Sequence, residues 1–320
     1  MVYKKKVILL SAFVFVLALV YFLTFALDPG NRRSEAFAWL DPSLLDMADR
    51  MEISGSGGAI ALIRRNAVWL SEAGTSLYPV KQSRVEDLLG ILTQKNIYPL
   101  RAVSSEGREK LGLGEGNASR IVIRGGAGLP LLDLLVGSPD ALGREVFLKR
   151  ADKNEIYSGE DLFTLYTESK PDAWYDLRLF PPDKPAVSFS LQAVQQAEVT
   201  FPAKLTEGGN GQKSVYTLRR RGDGWILVQD ENAVLDSNRV EAWLRSVSEA
   251  EADDFASGTP AAIEGGVTLW LGDNTKRTVQ IGPLDDNRWY ATVQDSPLVY
   301  VFSITSIKRI FSESSAFLKN

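Results

Sequence analysis

The sequence of 320 residues contains no cysteine and no histidine. Without thiols there is no disulfide to staple a fold, so any globular part must rest on its apolar core. Without imidazole the commonest general base is missing, and with thiolate also absent nearly every zinc or copper ligand set is excluded. An enzyme built on this chain would be confined to carboxylates, lysine or serine.

Charge is absent over one stretch. Val7 to Leu27 (VILLSAFVFVLALVYFLTFAL) carries no charge, proline or glycine. At about 1.5 Å rise per residue this run makes roughly 30 Å of helix, the thickness of a bilayer's hydrocarbon core. Lys4, Lys5 and Lys6 precede it, and Asp28, Pro29 and Gly30 follow it before Arg32 and Arg33. The positive-inside bias places the N-terminus in the cytoplasm and the remainder outside. The run exceeds an ordinary signal-peptide core, so a retained anchor is expected. With no cysteine after it, a lipoprotein is excluded.

Positive charge is also in deficit. Once Lys4 to Lys6, Asp28, Arg32 and Arg33 are set aside, 31 basic and 39 acidic residues remain. That balance argues against the phosphate backbone of a nucleic acid as a partner. A hydrophobic content of 45% over this length is enough to bury a core and excludes a disordered chain.

What is present is an internal duplication. LIRRNAVWL, ending at Leu70, recurs as TLRRRGDGWIL from Thr217, with Trp69 and Trp225 at matching places. SRVEDLLGIL from Ser83 matches SNRVEAWLRSV from Ser237, an offset of about 155 residues. IVIRGGAGLPLLDLLVG from Ile121 then corresponds to VTLWLGDNTKRTVQIG from Val267. Each unit is expected to run hairpin, helix, strand pairs, closing helix.

The local signals agree. Arg221 to Gly224 lies between apolar runs as a hairpin turn. Ser83 and Ser237 are expected helix N-caps. Val85, Leu88, Leu89 and Leu92 share one helical face, and so do Val240, Trp243, Leu244 and Val247. Leu131 to Val136 and Thr278 to Ile281 are expected strands stopped by Gly137-Ser138-Pro139 and Gly282-Pro283. Asp41-Pro42 marks a helix start carrying Leu44, Leu45, Met47 and Met51 as its apolar stripe.

The predicted fold class is α+β: an N-terminal transmembrane helix, then two duplicated lobes of antiparallel sheet with helices on one face. The expected divisions are a cytoplasmic N-terminus (1–6), the transmembrane helix (7–27), a juxtamembrane segment with a short helix (28–56), a first lobe (57–180), a connector with Pro181 to Pro185 and a strand (181–213), and a second lobe (214–320).

Candidate sites are few. Asp253 with Asp254 and Asp285 with Asp286 are acidic neighbours of the kind that loops carry, though carboxylate pairs also serve glycan hydrolysis. The glycine stretches 55–58, 125–128 and 208–211 lack phosphate-loop spacing and are expected turns. Arg64 and Arg65, with Arg219, Arg220 and Arg221, form the expected partner-facing positions on a strand edge. Trp69, Trp225 and Trp243 are expected in the core and Trp39 at the membrane surface. Trp174, Trp270 and Trp289 are left open, stacking on a sugar ring included. No cofactor and no metal is expected.

Several segments in order also carry a family resemblance: the lysine-led anchor, the strand ending in Trp69, Tyr78-Pro79 before VEDLLGIL, LGLGEG (Leu111 to Gly116), LLVG, and WYDLRLF (Trp174 to Phe180). Together they resemble the bacterial domain of unknown function (DUF) 4340 family. The resemblance implies an extracytoplasmic, membrane-anchored accessory encoded with ABC-type transport systems, the gliding-motility-associated ones among them. Its implied partners are the lipid bilayer and an ABC permease and ATPase on separate chains; it carries no catalytic residue set. The expected function is therefore binding or scaffolding. The alternatives are a solute- or glycan-binding module and a carboxylate-dependent envelope hydrolase.

Overall fold

A computed structural model describes residues 14–21, 35–104, 107–182, 184, 186–206, 212–256 and 262–319. Of the expected membrane span, only 14–21 falls within these, as an exposed helix (α1). Val7, Leu27, Lys4, Lys5, Lys6 and the Glu207 to Gly211 stretch lie outside the described residues. No helix among the described residues is long and apolar enough to cross a membrane.

The chain forms two compact units, Met1–Tyr175 and Asp176–Asn320. The first holds β1 (Ala48–Gly55), β2 (Gly58–Arg65), β3 (Val68–Ala73), β4 (Ser76–Pro79), helix α2 (Gln82–Thr93), β5 (Leu100–Ala102), β6 (Ser119–Gly125), β7 (Leu129–Pro139), β8 (Glu145–Arg150), β9 (Ile156–Glu160) and the short helix α3 (Thr164–Thr167). Its strands join in the order β4-β3-β2-β1-β6-β7-β8-β9-β5, every neighbouring pair antiparallel.

The second holds β10 (Val194–Phe201), β11 (Ser214–Arg221), β12 (Gly224–Leu227), α4 (Ser237–Ser248), β13 (Asp254–Phe255), β14 (Gly265–Leu271), β15 (Lys276–Pro283), β16 (Arg288–Val293), β17 (Val299–Ser303) and α5 (Ile304–Ile310). Its order is β12-β11-β10-β14-β15-β16-β17-β13. With β4 removed from the first sheet, the two follow the same course. β1 and β10, upstream of the repeats legible in the sequence, each sit mid-sheet and pair on both sides.

The match extends to irregularities. A bulge falls between Ala48 and Arg50 on β1 and between Val194 and Gln196 on β10. The extra residue puts Ala48 and Met51, three apart, on the same buried face, and likewise Val194 and Ala197. Each unit also closes the same way. Lys81 donates its backbone N–H to Trp174 at 2.9 Å, and Asp236 donates to Phe317 at 2.8 Å, immediately before α2 and α4.

Each sheet buries one face under its helices. In the first unit Met51, Ile53, Leu62, Ile121 and Ile123 meet Val85, Leu88 and Leu92 of α2 in one apolar cluster with Phe163 and Trp174. In the second, Val240, Trp243, Leu244 and Val247 of α4 are buried, and Trp243 donates its indole N–H to Ile310 of α5 at 2.7 Å. Burying each such side chain stabilises the fold by about 2 kcal/mol.

Five local expectations are corrected. Ser237 is the first residue of α4, and its cap is Asp236, whose carboxylate accepts from Asn238 and Arg239. Ser83 lies inside α2, which starts after Lys81 without a side-chain cap. Gly137 to Pro139 and Gly282-Pro283 continue their strands, because a register shift after Val136 and the β15–β16 ladder accommodate them. Pro42–Met47 is a 3-10 helix capped by Asp41, and Met51 belongs to β1. Trp39 is 2% exposed rather than interfacial, since it packs in an aromatic cluster with Phe37, Tyr98 and Tyr157.

Candidate functional site

The face of each sheet turned away from its helices is polar and open, and the shared register allows a position-by-position comparison. In the first unit one cross-strand row reads Ile63, Arg50, Arg124. The equivalent row in the second unit reads Arg219, Gln196, Trp270, Lys276. The next rows are Ala61, Glu52, Val122, Asp133 and Thr217, Glu198, Thr268, Thr278. The same backbone therefore displays two different chemistries.

The first face is laced by ion pairs. Arg50 donates Nε to Glu52 and a terminal nitrogen to Glu72, both at 2.8 Å, and these hydrogen bonds, Glu52 first, raise its pKa further. Arg120 grips Asp133 with two hydrogen bonds, at 2.7 and 2.5 Å, which raises its pKa too. Beside them Ile63, Arg65 and Arg124 help to line a hollow of about 370 Å³. The groups are more than a quarter exposed, so their worth lies in orientation more than in stability.

The second face is mostly uncharged. Arg219 donates to the Gln196 amide oxygen at 2.9 Å, and the Gln196 amide nitrogen donates to Glu198 at 2.8 Å. Thr268 and Thr278 face one another with hydroxyls 3.3 Å apart. Trp270 is 37% exposed, and Lys276 Nζ lies 5.9 Å from its ring centroid. Hollows of about 310 and 510 Å³ meet at Glu198.

The five expected partner-facing arginines do not form one patch. Arg64 and Arg220 stand opposite Trp69 and Trp225 on the helix-covered side. Arg64 donates to the Leu45 carbonyl at 3.4 Å. Arg220 donates to the Val194 carbonyl at 3.2 Å and to Glu241 at 2.8 Å, with its guanidinium 4.7 Å from the Trp225 centroid. Arg65 and Arg221 end the hairpins, where Arg221 pairs with Glu231 at 2.8 Å. Arg219 alone of the five stands in the row with Trp270.

The acidic neighbours serve turns. Asp253 accepts from the Ser303 amide at 2.5 Å and from the Ser306 hydroxyl at 3.3 Å, and Asp285 accepts from the Asn287 and Arg288 amides. Among the described residues no group of three acidic side chains is placed to hold a metal ion. Sequence reasoning missed Arg50, Arg124, Gln196 and Glu198. Their signal was the polar phase of strands that the repeat alignment reached only in part.

A family model described as "Domain of unknown function (DUF4340)" matches residues 73–267, more than half of the chain. No curated protein and no solved structure matches it.

Proposed function

We propose that this chain, which belongs to the DUF4340 family, works by binding: it is an extracytoplasmic scaffolding component, auxiliary to an ABC-type transport system and tethered by Val7 to Leu27. The observation that carries this reading is the pair of open sheet faces in matched register with divergent side chains. Duplication doubles a surface, and divergence lets the two copies meet different partners. Arg50, Arg65 and Arg124 suit an acidic protein surface, whereas the second face suits a neutral partner read by hydrogen bonds.

The apolar run with its leading lysines supports placement at the cytoplasmic membrane with the N-terminus inside. Fractionation tests that placement: the full chain should stay with membranes through carbonate extraction, and release by carbonate would refute the tether. Affinity capture from solubilised membranes tests the partner. An ABC permease should co-purify with wild-type protein and be depleted when Arg50 and Arg124 are replaced by glutamate.

A further inference from the structure

We infer that the open face of the second sheet is a platform for a neutral, β-linked polysaccharide chain, with Trp270 as the ring on which one sugar stacks. Six of the seven tryptophans are at most 5% exposed, whereas Trp270 on β14 is 37% exposed. A large apolar ring left in water on a polar surface is the informative exception, because burying it would be favourable. An exposed indole among hydrogen-bonding groups is suited to the C–H face of a pyranose.

The surroundings fit hydroxyl recognition. Trp270 lies between Gln196 and Lys276 in its row, and Glu198, Thr268 and Thr278 form the next. The relay from Arg219 through Gln196 to Glu198 fixes the amide and carboxylate, so a diol would meet oriented acceptors. Thr200 and Gln280 extend the hydroxyl and amide pattern one row further. Trp270 and the Thr200 row are separated by four residues along β14, roughly 14 Å, enough for a short oligosaccharide.

The hollows on either side of Glu198 make the path continuous. At its far end Val215 and Ile263, 61% and 57% exposed, offer apolar contact to a second sugar ring. The strand backbones here are already paired on both sides, so a ligand on this face is read by side chains and cannot bind by adding a strand. The first unit places Arg124 where the second has Trp270, and Arg50 where it has Gln196, so the platform is specific to the second unit.

The test is calorimetric titration of the full chain in lipid nanodiscs free of sugar-headed detergent. The probes are cellohexaose and chitohexaose, with the coiled, α-linked maltohexaose as the comparison. At least one β-linked probe should bind saturably, W270A should weaken it about tenfold or more, W270F should retain intermediate affinity, and E86A, on the exposed side of α2, should bind as wild type. Absence of saturable binding by both β-linked probes, unchanged affinity in W270A, or equal binding of maltohexaose would overturn the inference. Because no transporter subunit takes part, the outcome is independent of the scaffolding reading.

Discussion

Gly137 on β7 lies directly beneath the backbone of Leu111, so close that a Cβ at Gly137 would overlap the Leu111 carbonyl oxygen. Gly282, its counterpart on β15, lies beneath Ala262 in the same manner. In both units the connection that crosses the sheet end demands a residue with no side chain. G137A should therefore destabilise the first unit by about 2–4 kcal/mol, read as a lower urea midpoint with an unchanged slope.

Phe317 is 2% exposed and packs its ring 5.4 Å from Trp243 and 6.2 Å from Tyr216. F317A removes that contact while the Asp236 hydrogen bond to its carbonyl remains available. A loss of about 3–5 kcal/mol is expected in the second unit's denaturant transition. A loss below 1 kcal/mol, on the order of a surface substitution, would mean that the C-terminal segment does not close the core.

Much of this architecture was legible in the amino acids. The amphipathic spacing of Val85, Leu88 and Leu92, the Arg221 to Gly224 turn, and the paired Trp69 and Trp225 each specify local structure by periodicity or turn chemistry. β1 and β10 fell outside the repeat because, aligned from Ala48 and Val194, they have only Glu52 and Glu198 identical, although a strand was legible in the connector. Trp39 was misplaced for a related reason: proximity to an apolar run is a one-dimensional signal, whereas its partners Tyr98 and Tyr157 lie far along the chain. The open faces were illegible because register, which sets Arg50 beside Arg124 and Gln196 beside Trp270, is a property of pairing and not of any single segment.

Arg220, Glu241 and Trp225 form a linked group, since Glu241 accepts from both Arg220 and the Trp225 indole at 2.8 Å. R220A should cost about 1–2 kcal/mol, and R220K should recover only part of it because lysine cannot reproduce the planar stack. A double-mutant cycle of R220A with E241A should give a coupling of about 1 kcal/mol, measured by urea unfolding.

Burial pushes the Tyr300 hydroxyl up to about 12, and burial raises that of Tyr216 as well. An unfolded tyrosine ionises near pH 10, so between those values the unfolded chain holds fewer protons and stability falls as pH rises. The contribution is whole below about pH 10 and is lost on the way to about pH 12. Thermal scans should show an alkaline limb in that window, and Y300F should make it shallower while changing neutral-pH stability by about 1 kcal/mol or less. On the acid side the Arg144 and Glu145 amides hold the Asp140 carboxyl below its usual range, and the Arg288 side chain and the Asn287 amide do so for Asp285. Their contribution is present above about pH 4 and fades below it, a change D140N should remove at that loop.

Site-specific photocross-linking in native membranes bears most directly on the proposal that the open face of the first sheet binds an ABC-type transport system. The photoreactive residue would replace Arg124 on the first open face or Glu86 on the exposed side of α2. Adducts to an ABC permease subunit, identified by mass spectrometry, are expected from position 124 and none from position 86. Adducts from position 86 alone, or no transporter subunit from either position, would contradict the proposal.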